Sequence, residues 1–290
     1  MVRTTFTDLP DEVRAELTEL AGPVTEFIPA ALGNHADLAG EMRTSRGRAF
    51  VKGARLLPDR RGGGAEAWSL LNEAEVLSAV RPHAPELLWR FDAAGWRIVR
   101  FEYVNGRQAD YTPGSPDLDL IAAAVQDLAT RECPPSVKLR VEDRYRALDD
   151  HAEAFTGTGL VHCDVNPDNV LITGDGAVCI VDWAFVSRGA SWLEYGFMVP
   201  WLIRAGHSPQ AAESWLAGFP LWNAADPEHI DLFASLLDQS WSRRNVGGAP
   251  PWLVEYAGLV RRGARPECRR PKARRRTGLA MVSAVPRSTR

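Results

Sequence analysis

The chain of 290 residues has no long hydrophobic run, and no stretch approaches the roughly 18 to 20 consecutive apolar residues of a membrane-spanning helix. Residues 1–16 hold several acids and no apolar core, so we expect neither a secretory signal nor a membrane contact. Cysteine is scarce, and no Cys-x-x-Cys pair occurs among Cys133, Cys163, Cys179 and Cys268. This pattern argues against a disulfide framework or a cysteine-ligated zinc site and predicts reduced thiols in the cytoplasm.

The net charge of -3 is unevenly distributed along the chain. Residues 261–290 hold 11 of the 34 basic residues and one of the 37 acidic ones, which leaves residues 1–260 with a net charge of -13. The arginine- and proline-rich segment 261–290 predicts a basic, disordered tail. The acidic body argues against a nucleic-acid partner and would attract cationic small molecules, although it would serve solubility equally well.

Helical and extended patterns alternate in the first hundred residues. Apolar residues at helical spacing predict helices over 7–21 and 65–80, and apolar runs predict strands over 48–54 and 95–104. The second strand leads into Asn105-Gly106, a strong turn signal. We therefore expect a small N-terminal lobe rich in β-structure, formed by residues 1–104.

The pattern after residue 104 is mostly helical, with helices predicted over 117–130 and 141–156. A hairpin turn is predicted at Thr173-Gly174-Asp175-Gly176. A tryptophan-rich helical region follows, and three prolines are expected to break it: Pro200, Pro209 and Pro220. This order predicts an α+β protein in which a larger, mainly helical C-terminal lobe, residues 105–260, faces the small lobe across a cleft.

The most informative segment is His162-Cys163-Asp164-Val165-Asn166-Pro167-Asp168-Asn169, which leads into an apolar strand. Thirteen residues after Asn169, Asp182 ends a second apolar run. Phosphoryl transfer from ATP requires a carboxylate that receives or orients the proton of the attacking hydroxyl, and oxygen ligands for magnesium. The predicted hairpin would bring Asp182 beside Asn169.

This arrangement resembles the catalytic loop and metal-binding acid shared by protein kinases and aminoglycoside phosphotransferases. Cys163 and Asn166 stand where protein kinases usually have Arg and Lys, and Trp183-Ala184 stands where they have Phe-Gly. The segment is therefore more similar to the antibiotic-resistance kinases, and the resemblance implies a bilobal, protein-kinase-like fold.

The resemblance also implies roles for individual residues. Asp164 would be the catalytic base or orienting group, His162 would support the loop through hydrogen bonds, and Asn169 and Asp182 would bind Mg²⁺. A polar turn at Asp164 and Asn169, with Asp182 capping a helix, is the alternative without catalysis.

Two upstream residues fit a nucleotide site. Lys52 follows an apolar strand, and Glu73 lies 21 residues later on the predicted helix. The resemblance implies that Lys52 binds the α- and β-phosphates of ATP and that Glu73 holds it, with Glu75 as the alternative partner.

Two further segments are assigned to the nucleotide by their position. The amides of Asn34 and His35 would face the phosphates, although an ordinary turn explains that segment equally well. By resemblance, the carbonyl of Glu102 and the N–H of Val104 would pair with adenine, and Phe101 would line the back of the pocket.

The sequence thus predicts an ATP-dependent phosphotransferase that acts on a hydroxyl of a small molecule, either aminoglycoside-like or another hydroxylated metabolite. The resemblance fades beyond Ser240, where altered final helices would leave the acceptor pocket incomplete. This change motivates the alternative of a nucleotide-binding pseudokinase or regulatory module. Glu194 replaces an Asp that the family often has, and it would orient the catalytic loop, face the substrate or, as a lone helix glutamate, be solvated.

Overall fold

Five antiparallel strands form a sheet in the N-terminal part of the chain, in the order β1-β2-β3-β5-β4. The computed structural model describes residues 4–30 and 36–264. The strands are β1 (Val24–Pro29), β2 (Leu38–Thr44), β3 (Gly47–Arg55), β4 (Leu87–Ala93) and β5 (Trp96–Glu102). In the register of this sheet Lys52 lies opposite Ala39 on one side and Val99 on the other. The strands predicted over 48–54 and 95–104 are confirmed as β3 and β5.

Each face of the sheet is covered by a helix. Helix α1 (Asp11–Ala21) packs its buried residues against the outer face, with Leu17 in a cluster that includes Met42 and Ile98. Helix α2 (Ala65–Val80) has the predicted bounds and packs on the other face. The first predicted helix begins later than residue 7, because a 3-10 turn and Pro10 precede α1.

Two smaller sheets and a set of helices form the rest of the described chain. Strand β6 (Gly106–Gln108) pairs with β8 (Val170–Thr173), and β8 pairs with β9 (Val178–Ile180). Strand β7 (Gly159–Val161) pairs with β10 (Ser187–Gly189). The helices are α3 (Asp117–Ala129), α4 (Leu193–Arg204), α5 (Pro209–Leu216), α6 (Pro220–Ala224), α7 (Pro227–Arg244) and α8 (Pro251–Gly263). This strand-then-helix order confirms the predicted α+β class.

The helix predicted over 141–156 is wrong. The segment forms two short 3-10 turns, Glu142–Arg144 and Asp150–Phe155. Between them Asp149 has extended backbone, and its carboxylate accepts a hydrogen bond from the N–H of His151, so it starts a new turn instead of continuing a helix. Tertiary packing of Phe155 in the aromatic core holds this irregular path.

Of the three prolines expected to break helices, Pro200 does not. It lies inside α4, which gives up a backbone hydrogen-bond donor there and has buried residues on both sides of the proline. Pro209 and Pro220 are the first residues of α5 and α6, where a missing N–H costs no helical hydrogen bond.

The chain beyond Ser240 continues as packed helix. Helix α8 buries Tyr256, Leu259 and Val260 and ends at Gly263, so it includes the first three residues of the predicted basic tail. The rest of that predicted tail, residues 265–290, lies outside the described residues. Among the helices that the structure describes, none is sufficiently long and apolar to cross a membrane.

Helix α2 is bonded directly to the C-terminal part. Asn72 on this helix is 4% exposed and donates to the carbonyls of Ala184 (3.5 Å) and Val186 (3.4 Å). Where the helix ends, the N–H of Ile180 donates to the carbonyl of His83 at 2.8 Å. Arg131 follows α3 and donates to the carbonyl of Ala79 at 2.9 Å. These contacts fix the helix that carries Glu73 relative to β9 and the segment after it.

Candidate active site

The catalytic-loop segment starts where β7 ends. His162 is 1% exposed, and its Nε2 lies 3.1 Å from the carbonyl oxygen of Val181, while its Nδ1 lies 3.2 Å from the backbone N of Asp164. Because a carbonyl only accepts and an amide N–H only donates, Nε2 carries the proton and Nδ1 is the acceptor. Burial lowers the pKa of His162 to about 4, which keeps the ring neutral near pH 7. A neutral imidazole thus fixes the backbone at Asp164.

Acid should therefore destabilise the protein through His162. Its folded-state pKa lies below the ordinary value of 6.5, so the unfolded chain binds this proton more tightly, and stability is lost as the pH falls from 6.5 to 4. The expected loss is about 3 kcal/mol. Denaturant unfolding of wild type and His162→Gln across this range should show a weaker pH dependence in the variant. The exposed His229 on α7 supplies the control, because His229→Gln should behave as wild type, and identical curves for all three proteins would contradict the prediction.

Asp164 lies in the cleft with two amide side chains on its carboxylate. Asn166 Nδ2 donates to Oδ1 at 2.9 Å, and Asn169 Nδ2 donates to Oδ2 at 3.2 Å. Burial raises the pKa of Asp164 to about 7; the charge of Asp182 acts in the same direction, and the two amides oppose it. A carboxylate with such a pKa is suited to accept a proton near neutral pH.

Asn166 organises this turn. Its Oδ1 accepts hydrogen bonds from the backbone N of Asp168 (2.8 Å) and Asn169 (3.2 Å), so it caps the 3-10 turn Pro167–Asn169. This capping role of Asn166 was not predicted from the sequence. The Asn-Pro dipeptide, a known turn former, is the sequence signal that could have revealed it.

The hairpin of β8 and β9 brings Asp182 back to the catalytic loop. Gly176 in its turn has a φ of 83°, a conformation that glycine adopts readily. On the returning strand the N–H of Val181 donates to the carbonyl of Asn169 at 2.8 Å, so the residue before Asp182 is bonded to Asn169. The hairpin therefore brings the backbone next to Asp182 into contact with Asn169, as predicted.

Lys52, Glu73 and Asp182 form one cluster of charges. Lys52 Nζ lies 3.0 Å from both carboxylate oxygens of Glu73 and 2.8 Å from Oδ1 of Asp182. Burial works to lower the pKa of Lys52, but the charges of Asp182 and Glu73 outweigh it and raise the pKa, so the ammonium stays charged. The alternative Glu75 lies instead on the surface, 3.8 Å from Arg90. The structure thus joins Lys52 to Glu73, and the contact of Lys52 with Asp182 was not predicted.

Two non-glycine residues in this region have left-handed backbone, Cys163 with φ 70° and Asp182 with φ 63°. Such conformations are uncommon for residues with a Cβ, and they concentrate at functional sites where the surrounding structure enforces them. Here one of them is Asp182 itself, and the other, Cys163, immediately precedes Asp164.

Glu194 is buried, at 6% exposure, so the interpretation of a solvated helix glutamate is wrong. Its carboxylate accepts hydrogen bonds from the backbone N of His162 and, at 3.3 Å, of Cys163. Burial raises its pKa to about 7, and the two backbone hydrogen bonds oppose that rise. Glu194 therefore anchors the start of the catalytic loop to α4. Of the roles considered from the sequence, this contact favours orientation of the loop.

Removing this anchor should cost stability. Glu194→Ala leaves two amides in the interior without an acceptor, at about 1–3 kcal/mol for each buried group. We expect the free energy of unfolding to fall by about 2–4 kcal/mol in this variant. Glu194→Gln should lose less, because it keeps an acceptor oxygen and removes the buried charge. Urea unfolding of the three proteins provides the measurement, and an alanine variant as stable as wild type would contradict the assignment.

The strand end assigned to adenine follows β5. Phe101 is 3% exposed, and the carboxylate of Glu102 accepts hydrogen bonds from Arg81 (3.2 Å) and the backbone N of Glu86 (3.1 Å). Two residues after Glu102, the carbonyl of Val104 accepts a hydrogen bond from the N–H of Gly106 at 3.2 Å. The adenine pairing assigned to Glu102 and Val104 stays a prediction.

The predicted phosphate-facing residues Asn34 and His35 lie outside the described residues, between β1 and β2. Lys52 is opposite Ala39, near the start of β2. The proposed contact of Asn34 and His35 with phosphate stays a prediction.

Comparison with known proteins points to the same part of the chain as the geometry of the site. A model of the phosphotransferase enzyme family matches residues 112–227, which include the catalytic loop, Asp182 and Glu194. Among curated proteins no sequence matches this chain. The fold is similar to choline kinase LicA from Streptococcus pneumoniae, with a TM-score of 0.62 and 15% identity over 87% of this chain and 97% of that one. It is also similar to the AMP-bound complex of spectinomycin phosphotransferase APH(9)-Ia, with a TM-score of 0.61 and 10% identity over 88% of this chain and 98% of that one.

At such identities the likeness to solved structures establishes the fold, and the family match adds the catalytic segment. Both agree with the resemblance drawn from the His162–Asn169 motif and Asp182. The predicted bilobal fold and the predicted class of phosphotransferase are confirmed. Over residues 112–227 this chain thus matches the phosphotransferase enzyme family, and its fold is similar to that of choline kinase LicA and of spectinomycin phosphotransferase.

Proposed function

We propose that this protein transfers the γ-phosphoryl group of ATP to a hydroxyl group of a small molecule. The observation that carries this proposal is the convergence of Lys52, Glu73 and Asp182 in one charged cluster beside the Asp164–Asn169 loop. A polar turn without catalytic purpose would not require a lysine from the distant sheet. The AMP-bound state of a structurally similar phosphotransferase is consistent with a nucleotide in this cleft.

Asp164 is the proposed proton acceptor. As the oxygen of the acceptor hydroxyl forms its bond to the γ-phosphorus, its proton passes to the Asp164 carboxylate, and the bond from that phosphorus to the leaving oxygen of ADP breaks. The amides of Asn166 and Asn169 hold the carboxylate in one orientation before the acceptor arrives. Positioning of this kind supplies much of the rate enhancement in phosphoryl transfer.

Magnesium fits the residues present. Asn169 directs its Nδ2 at Asp164, which leaves its amide oxygen as the atom for a metal, and Asp182 supplies a carboxylate; oxygen ligands are the ones that Mg²⁺ prefers. Within the described part of the chain no group of three or more His, Cys, Asp or Glu side chains could hold a metal. Two protein ligands suffice when phosphate oxygens and waters complete the coordination. When bound there, the ion would neutralise phosphate charge.

The acceptor is proposed to be a hydroxylated small molecule that carries positive charge. The net charge of -13 over residues 1–260 would raise the local concentration of a cation near the protein. The structurally similar proteins named for choline and spectinomycin are consistent with such acceptors. Localisation in the cytoplasm, where ATP is available, completes this proposal.

Acceptor-dependent release of ADP tests the function. Purified protein with ATP and Mg²⁺ would be incubated with a panel of hydroxylated amines, among them choline and aminoglycosides, and with neutral sugars and alcohols. We expect one class of acceptor to raise ADP release well above the rate in its absence, with a phosphorylated product of matching mass. Nucleotide binding without turnover on any acceptor would favour the pseudokinase alternative instead.

A further inference from the structure

The Lys52 ammonium contacts two carboxylates in the structure. Two hydrogen bonds go to Glu73 and one goes to Asp182, at 3.0, 3.0 and 2.8 Å. An ammonium group offers three donors and no more. A phosphate oxygen that binds Lys52 therefore competes with these carboxylate oxygens for the ammonium.

The contact with Asp182 is the one suited to exchange. The side chain of Glu73 is 4% exposed and that of Asp182 is 23% exposed, so loss of the lysine would strand Glu73 in the interior. Asp182 lies at the open side of the cluster and is also a proposed ligand of the divalent cation. A cation can replace the ammonium there, so Asp182 exchanges one positive partner for another.

We propose that Lys52 is the counter-ion of Asp182 in the nucleotide-free protein, and that this contact couples cation binding to nucleotide binding. In the free protein the ammonium competes with a divalent cation for the same carboxylate. When phosphate engages Lys52, Asp182 becomes available to the cation. This inference rests on the proposed function, because it assumes that nucleotide and cation share the cleft.

The coupling has a direction that can be measured. Nucleotide should raise the affinity for the cation, and by thermodynamic linkage the cation should raise the affinity for nucleotide by the same factor. Couplings between sites are typically about 5- to 150-fold, so an effect of about tenfold is expected.

The test measures binding of Mn²⁺ to the full chain without nucleotide, by the loss of the electron paramagnetic resonance signal of free Mn²⁺. Lys52→Met should bind Mn²⁺ about tenfold more tightly than wild type. Lys52→Met alone makes the net charge of the cluster more negative. The double variant Lys52→Met/Glu73→Gln therefore serves as the charge-matched control. It has the same net charge as wild type but lacks the lysine ammonium beside Asp182, and it should also bind Mn²⁺ more tightly.

Two further variants complete the design. Lys138, whose Nζ lies 2.7 Å from the carbonyl of Pro135, is exposed, and Lys138→Met should leave the affinity for Mn²⁺ unchanged. Adding Asp182→Asn to Lys52→Met should abolish the gain, because the ligand is lost. Circular dichroism would verify that each variant is folded.

The outcomes separate this inference from the function on which it rests. Equal affinity for Mn²⁺ in wild type and both Lys52 variants would overturn the counter-ion role, even if wild type binds and turns over ATP. A gain in Lys52→Met alone, absent from the charge-matched double variant, would also overturn it, since net charge would then explain the effect. Tighter binding in both variants, together with no binding of ATP by wild type, would refute the proposed function and leave the contact intact.

Discussion

Asp164→Asn is expected to lower kcat by about 10²–10⁴-fold, the usual contribution of a positioned general base. Asparagine has nearly the same shape, but it cannot take the proton of the acceptor hydroxyl. Its side-chain oxygen can still accept from Asn166 or Asn169, so the loop should keep its conformation. Because the change does not touch Lys52 or Asp182, the affinity for nucleotide should stay close to that of wild type.

The measurement is steady-state turnover with a responsive acceptor, together with the Kd of ATP in the presence of Mg²⁺. Asp168→Asn is the matched control, since Asp168 is an exposed acid of the same loop, and its Oδ1 accepts a hydrogen bond from Nε2 of Gln108 at 3.3 Å. Its turnover should resemble that of wild type. An Asp164→Asn protein with normal kcat would remove the base from the proposed mechanism.

Asp182→Asn should reduce turnover by about 10³-fold or more, because a metal ligand contributes several kcal/mol to the transition state and each 1.36 kcal/mol is a factor of ten. Asparagine tolerates the left-handed backbone that this position adopts, with φ 63° and ψ 59°, so the fold should survive. The loss of one negative charge should weaken Mg²⁺-dependent binding of ATP as well as catalysis.

Titration of ATP with and without Mg²⁺ separates the two effects. In wild type we expect Mg²⁺ to tighten the binding of ATP, and in Asp182→Asn this dependence should largely disappear. Asp175→Asn, in the turn of the same hairpin and exposed, controls for damage to the hairpin. Near-normal turnover of Asp182→Asn would show that the metal ligands were assigned to the wrong residues.

The elements with strong local signals were predictable from the sequence. Helix α2 has the predicted bounds, 65–80, and the turn at Thr173–Gly176 lies where its glycines require it. The catalytic segment was also evident, because its polar residues are close in sequence and precede an apolar strand. In each case the information is contained in fewer than about twenty neighbouring residues.

The errors come from contacts made over long distances in sequence. Segment 141–156 has helical spacing, but the packing of Phe155 against Phe233 holds it in short turns. Glu194 resembles an exposed helix residue until the catalytic loop, 32 residues earlier, presents its amides to it. The Lys52–Asp182 contact spans 130 residues, and no local pattern encodes it.

The attachment of α2 to the C-terminal part determines how the cleft can widen. Glu73 lies on α2, whose Asn72 donates to the carbonyls of Ala184 and Val186, whereas Lys52 lies on the five-stranded sheet. A tilt of the sheet relative to α2 would move Lys52 away from both carboxylates. The distance from Lys52 to Glu73 would therefore report on the width of the cleft. A pair of spectroscopic labels, one on the sheet and one on α2, would measure that width in solution.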